Sequence, residues 1–342
     1  MHPIDIHRRQ HLAWLAQLSA IGLLPAAAAR AQGAAAGTVV MYSSNNSQSV
    51  DTAKDMARKV LPQVKLEAVT GGSQPLLKRI ETEAANKPLA DLFWTSSANL
   101  MENFRKFFEP YKSPEAAAVP ASMHDAQQQW VAANIHVVVG MINLRRLGAD
   151  APRSWSDLAD ARFKGKIIVA DPGNSSTAFT ALWGAEKVIG ADGLKRLAAN
   201  CSVSSAAANV VRAVAQGEYA VGITFESTAY PYIAGGQKEI KLVYPADGTF
   251  SVTDNMALVK GGPNPAAARK VYDVLMGKAA QTALLENAFR RPSRSDIDVT
   301  KHVDMPALAK IKLAALDDAK AAADRDAFLA RWRGHLAAAK AS

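Results

Sequence analysis

The residues best suited to chemistry are Asp171-Pro172-Gly173-Asn174-Ser175-Ser176-Thr177. An apolar run ending at Ala170 precedes them and a helical pattern begins near Ala178, so they form the turn from a strand into a helix. Pro172 stops the strand, Gly173 permits a tight turn, and three hydroxyls arrive where the first N–H groups of a helix have no intrahelical acceptor. Such a start, at the positive end of the helix dipole, suits a phosphate, a phosphonate or a carboxylate. No Gly-Lys-Ser/Thr follows, so nucleotide hydrolysis is not implied. The same residues would serve equally well as an ordinary N-cap.

Glu226 comes directly after the strand ending at Phe225. A carboxylate there either accepts hydrogen bonds from hydroxyls, pairs with an amine, or complements the helix start that follows it. Arg290 and Arg291 stand before Pro292 at the end of a helical pattern, with Arg294 close behind. A guanidinium in that position either clamps an anion with two parallel bonds or caps the helix. His124, His136, His302 and His335 are too dispersed for a zinc site, and no G-x-S-x-G elbow is present. No catalytic residue, metal ligand or cofactor is therefore expected.

These residues are set among alternating short apolar strands and amphipathic helices. In a first series, Thr38–Tyr42, Val64–Thr70 and Ala90–Trp94 each run into a small polar loop and then a helix. In a second, the run ending at Ala170, then Ser202–Ser205 and Tyr219–Phe225 do the same. The alternation predicts a parallel sheet covered on both faces. Its polar loops then share the carboxyl edge, where ligands bind in open α/β sheets. The long apolar run Trp130–Leu144 leads from the first series to the second, and Val252–Val259 leads back. The expectation is two lobes, 38–133 plus 256–342 and 134–255, joined by crossing strands near 131–137 and 251–257. From Asn264 onward the pattern reads as almost wholly helical.

At the N-terminus, Arg8 and Arg9 precede an apolar run, Leu12 to Ala29, that ends in Ala29-Arg30-Ala31. Basic start, short apolar middle and small-residue exit make residues 1–31 a cleaved secretory signal and place the mature protein in the periplasm. The arginine pair resembles a twin-arginine signal, but His7 and His11 replace its usual Ser/Thr and Phe, so the Sec route stays open. Without these residues the net charge falls from +9 to +7 and is spread along the chain. That speaks against nucleic acid as a partner, which needs basic residues gathered on one face. Cys201 is the only cysteine and reads as a buried, inert thiol.

Val40–Ser44, Trp155–Leu158, Phe163–Lys166, Ala170–Thr177, Gly217–Phe225, Ala257–Gly261 and Arg290–Pro292, taken in order, resemble the type II periplasmic binding proteins of the ferric-iron and phosphorylated-solute branch. The resemblance implies an α/β, two-lobed type II periplasmic binding protein fold with two crossing strands as its hinge. It also implies a monomer, not an enzyme, that gives a small anionic ligand to an inner-membrane ABC permease. By similarity to the phosphorylated-solute members, Ser43, Ser44, Ser175, Ser176 and Thr177 would hold the anion and neighbouring oxygens, and Glu226 a hydroxyl or amine. Thr95, Asn209 and Asn255 join them from loop position alone. Iron-binding members carry adjacent tyrosines after the strand that here ends at Phe225, whereas Pro231 separates Tyr230 from Tyr232 in this chain. A ferric-iron carrier and a ligand-sensing module for a membrane kinase are the alternatives.

Overall fold

The computed structural model describes residues 37–95 and 98–341, so the expected export signal lies outside the described residues. The first series is β1 (Gly37–Ser43), α1 (Ser47–Val60), β2 (Val64–Thr70), α2 (Ser73–Ala84), β3 (Leu92–Thr95), α3 (Ala98–Glu102) and a two-residue β4 (Phe108–Glu109). β5 (Trp130–Asn143) follows, then the one-turn helices α4 (Leu144–Leu147) and α5 (Trp155–Leu158). The second series is β6 (Ile167–Ala170), α6 (Ser176–Asn200), β7 (Cys201–Ser204), α7 (Ala207–Ala215), β8 (Val221–Phe225), α8 (Glu226–Ala234) and β9 (Ile240–Val243). β10 (Ser251–Val259), α9 (Pro265–Met276), α10 (Lys278–Ala288), β11 (Arg291–Pro292) and α11 (Asp318–Ala341) complete the chain.

The strands pair in the order β2-β1-β3-β10-β5-β8-β6-β7. Pairing is parallel within each series, β1 with β2 and β3, and β6 with β7 and β8. It is antiparallel where β10 meets β3 and β5 and where β5 meets β8. The sheet is therefore mixed rather than purely parallel, because the two crossing strands run against their neighbours. They also pair with each other, Ser251 opposite Val137 through Ala257 opposite Trp130. All fourteen residues of β5 are buried, as a strand covered on both faces requires.

Pairing is continuous through β5, and the described residues form one compact unit. Inside that unit the apolar side chains gather around each series separately. Val39, Met41, Leu92, Trp94, Met256 and Val271 pack together on one side. Val138, Phe163, Val169, Leu182, Ile223 and Phe250 pack on the other. A smaller cluster of Ile135, Val137, Val139 and Ile311 lies along β5.

The segment from Asn264 onward departs from its expected pattern. Residues 289–317 are mostly irregular and carry Arg290, Arg291 and β11 between the helices. The last helix, α11, was expected with the first series, but Phe328, Leu329 and Trp332 pack into the second. The physical reason is a match of aromatic stripes. Phe179 and Trp183, one turn apart on α6, face Phe328 and Trp332, one turn apart on α11, with Phe179 and Phe328 edge-to-face at 5.6 Å. The Trp183 indole also donates to Asp324 at 2.9 Å, and Arg331 bridges Glu186 and Asp324. Gly190, at φ +71, breaks α6 near its middle, which a residue without a Cβ does at little cost.

Candidate functional site

The carboxyl ends of the parallel strands open into a cleft of about 520 Å³. Its first wall is the β1–α1 turn, Ser44 to Asn46, with the start of α2 at Gly72–Gln74 and the Arg290 side chain. The second wall is Gly173–Thr177 at the start of α6, Ser205–Ala208 at the start of α7, Thr228 on α8, and Arg325 from α11. His136, on β5, lies between them. Four long helices thus present their N-termini to one space, each with leading N–H groups that lack intrahelical acceptors. A second hollow of about 530 Å³ lies at the opposite, amino ends of β1 and β2, where Lys54, Arg58, Lys65 and Glu67 mix both signs.

The helix starts are built by local hydrogen bonds. Asn46 caps α1, its carbonyl accepting from the Ser49 N–H at 3.0 Å and the Ser49 hydroxyl at 2.7 Å. Ser175 caps α6, accepting from the Ala178 N–H at 3.2 Å, and the Ser175 N–H bonds to the Asp171 carbonyl at 2.9 Å. Ser175 is therefore both a cap and a wall of the cleft. Ser176 and Thr177 occupy the first helical positions beside it.

Among the other expected residues, Ser44 lines the cleft, and its hydroxyl lies 2.9 Å from that of Thr95. Thr95 is fully buried and donates to Ser73 at 2.8 Å, so it positions two wall hydroxyls from behind. Ser43 is also fully buried and accepts from the Asn45 N–H at 3.1 Å, shaping the turn without lining the cleft.

Three of the expected residues are engaged by the protein itself. Glu226 is 1 % exposed, and its oxygens are occupied by Arg291 at 2.5 and 2.7 Å and by the Tyr244 hydroxyl. It neutralises a buried arginine and has no open face toward a solute. Asn209 accepts from Arg212 at 2.8 Å on the outer side of α7 and does not line the cleft. Asn255 turns back on Thr253, donating to its carbonyl and hydroxyl at 3.1 Å each, where a bulge interrupts the β10–β5 register.

The arginine pair divides. Arg291 is the buried partner of Glu226, and Arg290 faces the cleft. Neither side chain caps α10, which closes on Phe289 in the left-handed region at φ 55, with the Arg290 N–H bonded back to the Leu284 carbonyl at 3.1 Å. Arg290 donates from Nε to Ser49 at 2.8 Å, and its Nη1 lies 2.9 Å from His136 Nε2 and 3.0 Å from Nδ1. Burial lowers the Arg290 pKa from its ordinary value, partly offset by the field of Asp254. The His136 ring stacks on Phe225 at 4.8 Å. Its pKa is pulled down by burial first and by Arg290 next, against Asp254.

Three groups at the site escaped the reading of the sequence. Asp254, fully buried on β10, accepts from Asn45 at 3.3 Å and stands 3.6 Å from His136. His136 and Arg325 line the cleft. A histidine inside a mostly apolar crossing strand was a usable signal, and Asp254 stands on the other crossing strand. Nothing in the alanine-rich sequence of α11 marks Arg325.

Residues 87–323 match the family model described as bacterial extracellular solute-binding protein. A Salmonella typhi periplasmic protein, provisionally named for binding 2-aminoethylphosphonate, is 24% identical over 257 residues, 68% of this chain and 71% of that protein. The periplasmic binding protein AfuA of Actinobacillus pleuropneumoniae, solved with fructose 6-phosphate bound, superposes with a TM-score of 0.73 at 25% identity, covering 87% of this chain and 98% of that one. Iron-bound HitA of Pseudomonas aeruginosa has a TM-score of 0.75 at 18% identity, covering 87% and 99%. The α/β architecture with two crossing strands is thus that of the two-lobed periplasmic binding proteins. With a family model matched over most of its length, the chain belongs to the bacterial extracellular solute-binding protein family.

Proposed function

We propose that this solute-binding component of an ABC importer captures a small organic anion carrying a phosphate or phosphonate group. One observation carries the reading. Four helix N-termini and Arg290 converge on a cleft whose described lining contains no carboxylate. Aligned N–H groups and a guanidinium favour a compact anion with several oxygens, and the flanking hydroxyls of Ser44, Ser73, Ser176 and Thr177 can bond to the remainder. The phosphonate named for the Salmonella typhi relative and the sugar phosphate bound by AfuA are solutes of this kind.

The lobes of this reading are the two packing groups, 38–133 with 256–317 and 134–255 with α11, hinged on β5 and β10. A ligand touching both walls stabilises the closed form because the open form offers one set of contacts. A ferric site finds less support. Tyr230 accepts from the Asp304 N–H at 2.9 Å and packs on Phe289, and neither it nor Tyr232 lines the cleft. In the same reading residues 1–31 direct export and are cleaved after Ala31, so the purified periplasmic protein begins at Gln32 by N-terminal sequencing.

A thermal-shift and calorimetric screen over phosphate esters, phosphonates, carboxylates and Fe(III) tests the ligand class, because binding to the folded state raises the melting temperature by mass action. Selective stabilisation by a phosphoryl compound, recovered unchanged, is the expected result. Selective binding of Fe(III) or of a plain carboxylate overturns it.

A further inference from the structure

The second cation of the cleft comes from the C-terminal helix, far from every motif that marks the binding loops. Arg325 lines the cleft on the wall that also carries Ser175–Thr177. Its guanidinium lies over the Phe179 ring at 4.5 Å, and its contacts with the Pro172 and Gly173 carbonyls are long, at 3.3 and 3.5 Å. Burial of its side chain lowers its pKa, and Asp326, its neighbour in sequence, works against that shift. The arginine that ties α11 to α6 is a different one, Arg331, which takes both Glu186 and Asp324. Helix α11 is fixed to α6 by Phe328 and Trp332 and also runs beside α3 of the first series. Arg325 is therefore delivered by a rigid element and weakly engaged by the protein itself.

We propose that Arg325 sets the charge preference of the cleft, selecting a doubly ionised phosphoryl group over a singly charged tetrahedral anion of the same shape. The inference rests on the phosphoryl reading above. Helix N-termini and Arg290 suffice to hold one negative charge. A second guanidinium, only loosely bonded to carbonyl oxygens, gains most from the additional charge of a phosphonate or phosphate ester dianion, because charge-assisted bonds are stronger than neutral ones.

The test compares isosteres that differ by one charge. 2-Aminoethylphosphonate is paired with 2-aminoethylsulfonate, and fructose 6-phosphate with fructose 6-sulfate, by calorimetry at about pH 8, where the phosphoryl group is a dianion. Wild type is expected to prefer the phosphoryl member of the pair it binds by about tenfold or more, the scale of one charge-assisted bond. Arg325→Gln is expected to reduce that ratio to about threefold or less, Arg325→Lys to keep part of it, and Lys340→Gln, which removes the same charge from the far end of α11, to leave it intact. Each ratio is measured on a single preparation, so it does not depend on the fraction folded. If Arg325→Gln weakens both members equally, or neither, the inference is wrong and the phosphoryl reading stands. If wild type binds no phosphoryl probe, that reading fails and the inference goes with it.

Discussion

Arg290 Nη1 sits between the two ring nitrogens of His136, 3.0 Å from Nδ1 and 2.9 Å from Nε2. A guanidinium cannot face an imidazolium at that distance without strong repulsion, so the buried ring is neutral and accepts. The charged and polar groups around it are Arg290 from the segment after α10, Asp254 on β10, Ser227 and Glu226 on α8, with Phe225 stacked on its face. Burial and Arg290 outweigh the two carboxylates and hold its pKa below the ordinary value of 6.5. The unfolded chain then binds a proton that the folded chain refuses, so stability is complete above pH 6.5 and declines as the pH falls below it. Denaturant unfolding at a series of pH values should show this decline in wild type and a shallower one in His136→Gln. An identical slope in both proteins would show that His136 is not the group responsible.

Glu226 was legible as a charged residue at a strand end, but its burial was not. Removing its carboxylate as Glu226→Ala should cost about 3–5 kcal/mol in unfolding free energy, because Arg291 is left buried without a counter-charge. Glu226→Gln, which keeps the shape, should be destabilised less and should bind the solute with nearly wild-type affinity. Calorimetry on Glu226→Gln separates the roles. A protein of normal stability that has lost its ligand would return Glu226 to the binding site.

What the sequence disclosed here was set by range. Strand ends followed by Ser, Gly and Asn announce themselves within five or six residues, so the sequence places Ser44 and Ser175–Thr177 at one sheet edge, and all four line the cleft there. Partnerships across the chain left no local mark. Glu226 and Arg291 lie 65 positions apart, and Arg325 reaches Gly173 across 152. Position alone could not show that Thr95 and Ser43 are buried behind the residues that line the cleft. The failure at residues 289–317 has a similar cause, since the segment holds its shape through Arg290, Arg291 and Ser293, whose partners are distant in sequence.

The placement of α11 can be tested independently of any ligand. Trp332 is 1 % exposed and belongs to the same apolar cluster as Phe179 and Trp183. Trp332→Ala should destabilise the protein by about 3–5 kcal/mol, the usual cost of deleting a buried aromatic side chain. Phe179→Ala combined with Phe328→Ala, whose rings meet edge-to-face at 5.6 Å, should cost less than the sum, because residues in contact do not add independently. Strict additivity in denaturant unfolding would place the two helices apart.

The start of α6 supplies the most direct test of where the anion sits. Ser176 is exposed at the first helical turn, on the wall facing Ser44 and Arg290, and by its position its N–H has no intrahelical acceptor. A phosphoryl group there would take that N–H and the Ser176 hydroxyl together. Losing the hydroxyl as Ser176→Ala should weaken binding by about tenfold, the scale of one hydrogen bond to a charged group. Ser176→Asp should bind far less, because the new carboxylate repels the ligand and competes for the same N–H groups. The substitution is also informative about folding, since a carboxylate in the first turn favours the helix dipole and should leave stability unchanged or raised. Calorimetry and thermal unfolding on the same two variants therefore oppose each other. Affinity should fall sharply in Ser176→Asp while the melting temperature holds, and an affinity equal to wild type would move the anion away from α6.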